Sequence, residues 1–297
     1  MKEQTFGIEI EMTGLSRYDV AKALAKYYGT TENYVGGSYS AYEVKDQAGR
    51  TWKVMSDASI RPETKRGQTA SNDYRVELVS PVCRYGDIET VQEIIRELRK
   101  AGMRVNESTG IHIHIGKDGH TARSLKNIVN IMAAKEDMLF KSLEVNPDRA
   151  LRWCKKVDAT LLQKINKVST PTESKVRNIW YNGEDGAYRH YHESRYHALN
   201  LHSVWQKGTI EFRCFNSTTH AGKVKAYIQL CLAISHQAKK QKSASAKKTE
   251  SANEKYTFRT WLLRLGLIGD EFETARLHLL ANLKGDIAWK DNRRIAA

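Results

Sequence analysis

Five short stretches of the chain alternate between apolar and polar residues, which is the pattern of half-buried β-strands. The stretches are 6–12, 76–78, 110–115, 199–201 and 209–215. In each stretch the apolar residues share one face, as a sheet that packs on a core on one side requires. The residues on the opposite face are mainly acidic, imidazole or amide groups: Glu9, Glu11, Glu77, His112, His114, Asn200, Glu211 and Arg213.

Other stretches place apolar residues at helical spacing. One begins after Asp87, a predicted N-cap, and ends at Gly102; a second follows Thr121. A third includes Val224, Ile228 and Cys231. Two shorter helices are predicted in 256–267 and 272–283. Strands and helices alternate irregularly, so the pattern predicts an α+β fold with a small helical C-terminal appendage.

The polar strand face differs from an ordinary solvated face, which is the simpler interpretation. It holds no lysine, although the chain has 48 lysine and arginine residues. Glu9 and Glu11 are two residues apart on one strand face, about 7 Å, and at an effective dielectric near 20 they repel by roughly 2 kcal/mol. His112 and His114 have the same spacing. Together these features favour a cation site over a solvated face.

The ligand types of this predicted site favour a hard cation. The candidate ligands are four carboxylates and one or two imidazoles, with no thiolate. This set suits Mg²⁺ or Mn²⁺ better than Zn²⁺. Arg213, two residues after Glu211, would place a guanidinium beside the metal, where it can neutralise charge on a transferring phosphoryl group.

Composition and charge narrow the class of protein. The 297 residues suit two domains or one large one, and 40% hydrophobic residues exclude a mainly disordered chain. The apolar runs are too short for a membrane span, and the first five residues do not resemble a signal peptide, so a cytoplasmic protein is expected. The net charge of +14 favours anionic partners.

The stretch 239–255 is rich in lysine, serine and alanine. It cannot bury an apolar face, so it is predicted to be a solvated linker or a frayed helix end. A segment that contacts a polyanion is the alternative. The linker divides the chain into a predicted catalytic domain at 1–238 and a helical extension at 256–297.

Six motifs in order give the chain a family resemblance. They are FGIEIEM at 6–12, SDAS at 56–59, VELVSP at 76–81, GIHIHIG at 110–116, RYHALNLHS at 195–203 and GTIEFRCFN at 208–216. With them, the chain resembles the amidoligase family, a branch of the glutamine-synthetase-like carboxylate–amine ligases. The resemblance spans about residues 5–235. It implies an antiparallel sheet curved into a partial barrel, packed with helices, that holds ATP and two or three divalent ions.

The resemblance also implies a role for each residue. The metal ligands would be Glu9, Glu11, Glu77, His112 and Glu211. Nucleotide or substrate contacts would come from His114, Asn200, Arg195 and Arg213. Arg213 would steady the transferring phosphate and Arg195 would bind a second anion, with Arg189 as a competitor. Asp57 would bind metal or the incoming amine, or would simply cap a turn.

The implied reaction is an ATP-dependent ligation of a carboxylate to an amine through an acyl phosphate, which forms an amide or isopeptide bond. The substrates would be small molecules, peptides or protein side chains. Two other functions stay open: a metal-dependent nuclease or phosphodiesterase, and a non-catalytic module that binds polyanions. The first would cleave nucleic acid without ATP. The second would bind DNA with a steep salt dependence.

Overall fold

The computed structural model of the chain describes residues 1–288. Those residues form eight strands and ten α-helices. The strands are β1 (Phe6–Met12), β2 (Glu32–Gly36), β3 (Ala41–Lys45), β4 (Thr51–Met55), β5 (Val76–Val79), β6 (Gly110–Gly116), β7 (Leu199–Asn200) and β8 (Thr209–Asn216). The helices are α1 (Arg17–Tyr28), α2 (Ile88–Ala101), α3 (Ala122–Leu143), α4 (Pro147–Arg152), α5 (Ala159–Lys167), α6 (Glu173–Trp180), α7 (His202–Gln206), α8 (Ala221–Lys240), α9 (Glu254–Arg264) and α10 (Glu273–Leu280).

The chain divides into two compact units. The amino-terminal unit comprises residues 2–114 and 215–225. The carboxy-terminal unit comprises Met1, residues 115–214 and the described residues from 226 onward.

The amino-terminal unit is built on antiparallel strands. Their order is β2-β3-β4-β5-β1-β6, so β2 is an edge strand. Along β1, Ile8 and Ile10 are each 1% exposed and form part of the core beneath the sheet. Helix α1 packs on β3, β4 and α2. It begins at the N-cap Ser16, whose side chain and that of Asp19 form a capping box, and it ends at Gly29 in the left-handed conformation.

The carboxy-terminal unit is mainly helical. Its short strand β7 pairs antiparallel with β8, and Asn200 lies opposite Glu211 in the register. The long helix α3 packs against α5, α6 and α10. Its N-cap is Thr121, whose side chain accepts a hydrogen bond from Ser124 N. The apolar stripe of the helix continues through Leu139 and Leu143. This helix provides the surface on which α5, α6 and α10 pack.

The Lys-rich stretch runs beside α3. Helix α8 continues to Lys240, and α9 begins at Glu254, so residues 241–253 connect the two helices without regular structure. Asn127 Nδ2 donates to Gln241 O at 2.8 Å, and Thr249 N donates to Ala134 O at 3.1 Å. This stretch is therefore hydrogen-bonded to the helix. The domain boundaries at 238 and 255 stay predictions, and residues 289–297 of the predicted extension lie outside the described residues.

The structure confirms the mixed α+β fold with antiparallel strands. All five predicted strands are present, and β1 has the predicted bounds Phe6–Met12. Strands β2, β3 and β4 were not predicted, although Trp52 and Val54 flank Lys53 in β4 with the expected alternation. The curvature into a partial barrel stays a prediction. Among the described helices, none has the combined length and apolarity needed to cross a bilayer.

Candidate metal centre

Carboxylates and an imidazole from three strands of the amino-terminal unit converge at one point. Glu11 on β1, Glu77 on β5 and His112 on β6 each offer one ligand atom, and these atoms lie within 4.8 Å of one another. Glu11 and Glu77 are direct partners in the antiparallel register of β1 and β5. The strand pairing therefore brings together residues that are 66 positions apart in the sequence.

The imidazole of His112 lies between the two glutamates of β1. Its Nδ1 is 3.1 Å from Glu9 Oε2, and its Nε2 is 3.6 Å from Glu11 Oε1. His114, the next residue on the same face, places Nε2 3.2 Å from Glu9 Oε1. Glu9 thus contacts both histidines of β6 and orients His112 toward Glu11.

Backbone and hydroxyl groups fix the position of Glu11. Gly110 N donates to Glu11 Oε2 at 2.6 Å, while Ser217 Oγ donates to the main-chain oxygen of Glu11 at 2.6 Å. The first bond holds one carboxylate oxygen against the start of β6, and the second fixes the backbone of Glu11. The other oxygen, Oε1, is the one that lies near His112 Nε2.

Burial decides between a cation site and a solvated strand face. Glu11 is 3% exposed, His112 4% and His114 6%, so the solvated interpretation is wrong for these positions. Buried carboxylates that face one another are unfavourable unless a cation or a proton compensates their charge. Two carboxylates and one imidazole at this spacing are a donor set that fits Mg²⁺ or Mn²⁺.

A second group of buried polar residues lies in the carboxy-terminal unit. Asn200 Nδ2 donates to Glu211 Oε2 at 2.6 Å, and Arg213 Nη1 donates to Glu211 Oε1. Arg213 Nε also contacts Trp153 O at 3.4 Å. Asn200, Glu211 and Arg213 are 2%, 4% and 5% exposed. The guanidinium and the carboxylate hold each other in a fixed orientation away from water.

The remaining predicted residues lie on turns. Arg195 ends a short 3₁₀ turn, and its guanidinium lies over the rings of Tyr191 and Tyr196 at 5.5 and 5.8 Å. Its competitor, Arg189, lies 3.6 Å from Glu184 on the surface. Asp57 Oδ1 accepts a hydrogen bond from Ser59 N at 2.7 Å, so this carboxylate caps a turn after β4. Asp57 does not belong to the cluster of Glu11, Glu77 and His112, whose ligand atoms lie within 4.8 Å of one another.

Sequence reasoning missed the buried acid Glu136 on α3. It is 3% exposed, and both of its oxygens accept from Val157 N at 3.0 Å. Burial raises the pKa of this carboxyl group to about 7. The signal was present in the sequence, since Glu136 interrupts the apolar stripe that includes Met132 and Leu139.

One comparison with known families decides the assignment. The model of the family described as "Putative amidoligase enzyme" matches residues 2–235. The chain belongs to this amidoligase family. The matched region includes the cluster of Glu11, Glu77 and His112 as well as Glu211 and Arg213, and it ends before the Lys-rich stretch. The family description indicates a ligase-type enzyme. No curated protein matches the amidoligase.

Proposed function

We propose that this amidoligase joins a carboxylate to an amine in an ATP-dependent reaction with an acyl-phosphate intermediate. The observation that carries the proposal is the buried cluster of Glu11, Glu77 and His112, whose ligand atoms lie within 4.8 Å of one another in a member of this family. A ligase of this type must bring an anionic nucleophile to a polyphosphate. The negatively charged cluster suits divalent cations, and bound cations would offset the repulsion between the nucleophile and the polyphosphate.

The reaction balances in two steps. A carboxylate oxygen of the first substrate attacks the γ-phosphorus of ATP, the bond to the bridging oxygen breaks, and ADP leaves. The amine then attacks the carbonyl carbon of the acyl phosphate, loses a proton and expels inorganic phosphate. The product is an amide or an isopeptide, depending on the substrates.

In this proposal the strands of the amino-terminal unit hold the cations. Glu11, Glu77 and His112 are the ligands, and Glu9 orients His112 through the contact at 3.1 Å or binds a second ion itself. When bound, Mg²⁺ or Mn²⁺ would polarise the phosphate oxygens. His114, held by Glu9, would contact the nucleotide or the substrate.

The roles proposed for the other residues are those that the resemblance of the motifs implies. Arg213 would bind the transferring phosphate, and Glu211, which accepts hydrogen bonds from Asn200 and Arg213, would be a further metal ligand. Asn200 and Arg195 would contact the nucleotide. Asp57 would meet the metal or the amine.

The test is mass spectrometry of the products formed from ATP, Mg²⁺ and pools of carboxylates and amines. We expect ADP and a condensed product that is lighter than its two substrates by one water. Glu11→Ala and Glu77→Ala should abolish both, while Glu97→Gln on the surface of α2 should retain them. Turnover that persists in both purified alanine variants would contradict the proposal.

The two competing functions give different outcomes in the same preparation. A nuclease or phosphodiesterase would cleave nucleic acid with Mg²⁺ alone and would not need ATP. A non-catalytic polyanion-binding module would bind DNA with a steep salt dependence and release no ADP. Either result without condensed product would overturn the ligase proposal.

A further inference from the structure

A cavity lies in the carboxy-terminal unit, where the Lys-rich stretch passes between helices. It has a volume of about 330 Å³ and is lined by residues of α3, α8, the connecting residues 241–253 and α9. This volume is at the lower end of the range for small-molecule sites, about 300–1,000 Å³. None of the residues that line the cavity has a role in the proposed ligase chemistry.

The lining of this cavity is strongly cationic. Lys135, Lys247 and Arg264 line it, together with the hydroxyl groups of Ser243, Ser245 and Thr249. No carboxylate is among the described lining residues. Three positive side chains without an acid around one small cavity favour an anionic ligand.

Lys135 on α3 is the least exposed of these three cations, since Lys247 and Arg264 are both exposed. Its Nζ donates to Thr249 Oγ1 at 2.6 Å and lies 5.7 Å from the centre of the Trp261 ring. Burial and the positive charge of Arg264 both lower the pKa of Lys135. Positive charge is therefore concentrated here, and a bound anion would compensate it.

The wall formed by the Lys-rich stretch is held in place. Asn130 Nδ2 donates to Ala244 O at 2.9 Å, and Ala244 N donates to Asn127 Oδ1 at 3.1 Å. The neighbouring Lys248 pairs with Asp137 at 2.7 Å, outside the cavity lining. The lysines of this stretch thus differ: Lys248 is neutralised by an acid, whereas Lys247 lines the cavity.

We propose that the cavity lined by Lys135, Lys247, Arg264 and Trp261 is a binding site for a phosphoryl oxyanion. Lysine and arginine side chains with serine and threonine hydroxyls are typical donors to phosphoryl oxygens. The ligand is either a free phosphate compound or the phosphoryl end of a nucleotide. This site is separate from the cluster of Glu11, Glu77 and His112.

The test is isothermal titration of the full chain with pyrophosphate in a buffer without divalent cations. We expect one pyrophosphate per chain in the wild type and in Glu11→Gln, since the site does not depend on the metal cluster. Arg264→Gln and Lys135→Met should each weaken binding about tenfold, because each removes a charged hydrogen-bond donor. Arg264 is exposed, so its substitution keeps the packing of α9.

Lys242→Met is the matched control. It removes the same charge from an exposed lysine of the same stretch that does not line the cavity, so binding should stay within about twofold of the wild type. A parallel titration of the wild type and Arg264→Gln with ADP separates the two ligand sources. ADP binding that is tighter than pyrophosphate binding and is weakened in Arg264→Gln indicates a nucleotide in this cavity, and equal binding indicates a free phosphate compound. Absence of pyrophosphate binding, or equal losses in Lys242→Met and Arg264→Gln, would overturn the proposal.

Discussion

Glu11 lies directly opposite Glu77 in the antiparallel register of β1 and β5. Like charges at directly opposed positions destabilise a strand pair. Here both carboxylates also approach His112, and Glu11 is almost completely buried. The pairing therefore carries a cost in the free energy of folding, which bound divalent cations would offset.

Replacement of Glu77 by glutamine tests this cost. Because the change removes one of two opposed charges, we expect the free energy of unfolding without metal to rise by about 0.5 to 1 kcal/mol. Mg²⁺ should raise the midpoint of thermal unfolding in the wild type but much less in Glu77→Gln. The measurement is thermal unfolding followed by circular dichroism in EDTA and in Mg²⁺.

Glu97→Gln provides the control, since Glu97 is a surface residue paired with Lys100. It should respond to Mg²⁺ as the wild type does. An equal Mg²⁺ response in the wild type and Glu77→Gln would show that Glu77 does not bind the cation.

The second prediction concerns the contribution of the buried pair of Arg213 and Glu211 to stability. Arg213→Met removes the guanidinium that donates to Glu211, a residue that is only 4% exposed. Because the Glu211 carboxylate then stays buried without a partner cation, we expect the free energy of unfolding to fall by about 3 kcal/mol. Glu211→Gln combined with Arg213→Met should recover part of this loss, because the uncompensated charge is then absent. Urea unfolding of both single variants and the double variant gives the coupling energy. A double variant no more stable than Arg213→Met would contradict this interpretation.

The sequence predicted the strands that carry the site, because alternation with period 2 assigns each residue to a face. Glu9, Glu11, His112 and His114 are on the polar face of β1 and β6, as predicted. The same pattern does not report which strand lies beside which. The opposition of Glu11 and Glu77 is therefore a result of the fold, and no local pattern contained it.

Other parts of the fold escaped prediction for different reasons. In β2, Tyr34 and Val35 are 59% and 48% exposed, so its apolar residues do not mark a buried face. The Lys-rich stretch 239–255 is predicted to be a solvated linker or a frayed helix end, and the pattern does not report that Asn127 and Asn130 of α3 bind the backbone of Gln241 and Ala244. The sequence pattern of a helix does not show which distant backbone groups its side-chain amides will bind.

Glu136 predicts a specific dependence of stability on pH. Burial raises its pKa in the folded protein to about 7, above the ordinary value of 4.5. Between these pH values the folded state holds a proton that the unfolded state has lost, so the contribution of Glu136 falls as pH rises from about 4.5 through 7. Glu136→Gln should therefore be more stable than the wild type at pH 8, by on the order of 2 kcal/mol.

Chemical unfolding at pH 5 and pH 8 tests this difference. The glutamine oxygen still accepts from Val157 N, so the two proteins should have similar stability at the lower pH. A difference that is the same at both pH values would show that Glu136 does not titrate in this range.

His120 predicts the opposite dependence of stability on pH: its contribution to stability falls as pH decreases. Its Nδ1 and Nε2 lie 2.9 and 2.8 Å from Ser124 Oγ and Ser235 Oγ, and burial lowers its pKa to about 3. Below about 6.5 the unfolded state binds a proton that the folded state does not, so stability falls as pH decreases toward 3. His120→Gln removes this group, and its stability should fall less than that of the wild type between pH 7 and 4, by on the order of 3 kcal/mol. Urea unfolding across this range measures the difference, with the exposed His220→Gln as the control that should follow the wild type. Parallel curves for the wild type and His120→Gln would mean that the imidazole is protonated in the folded protein.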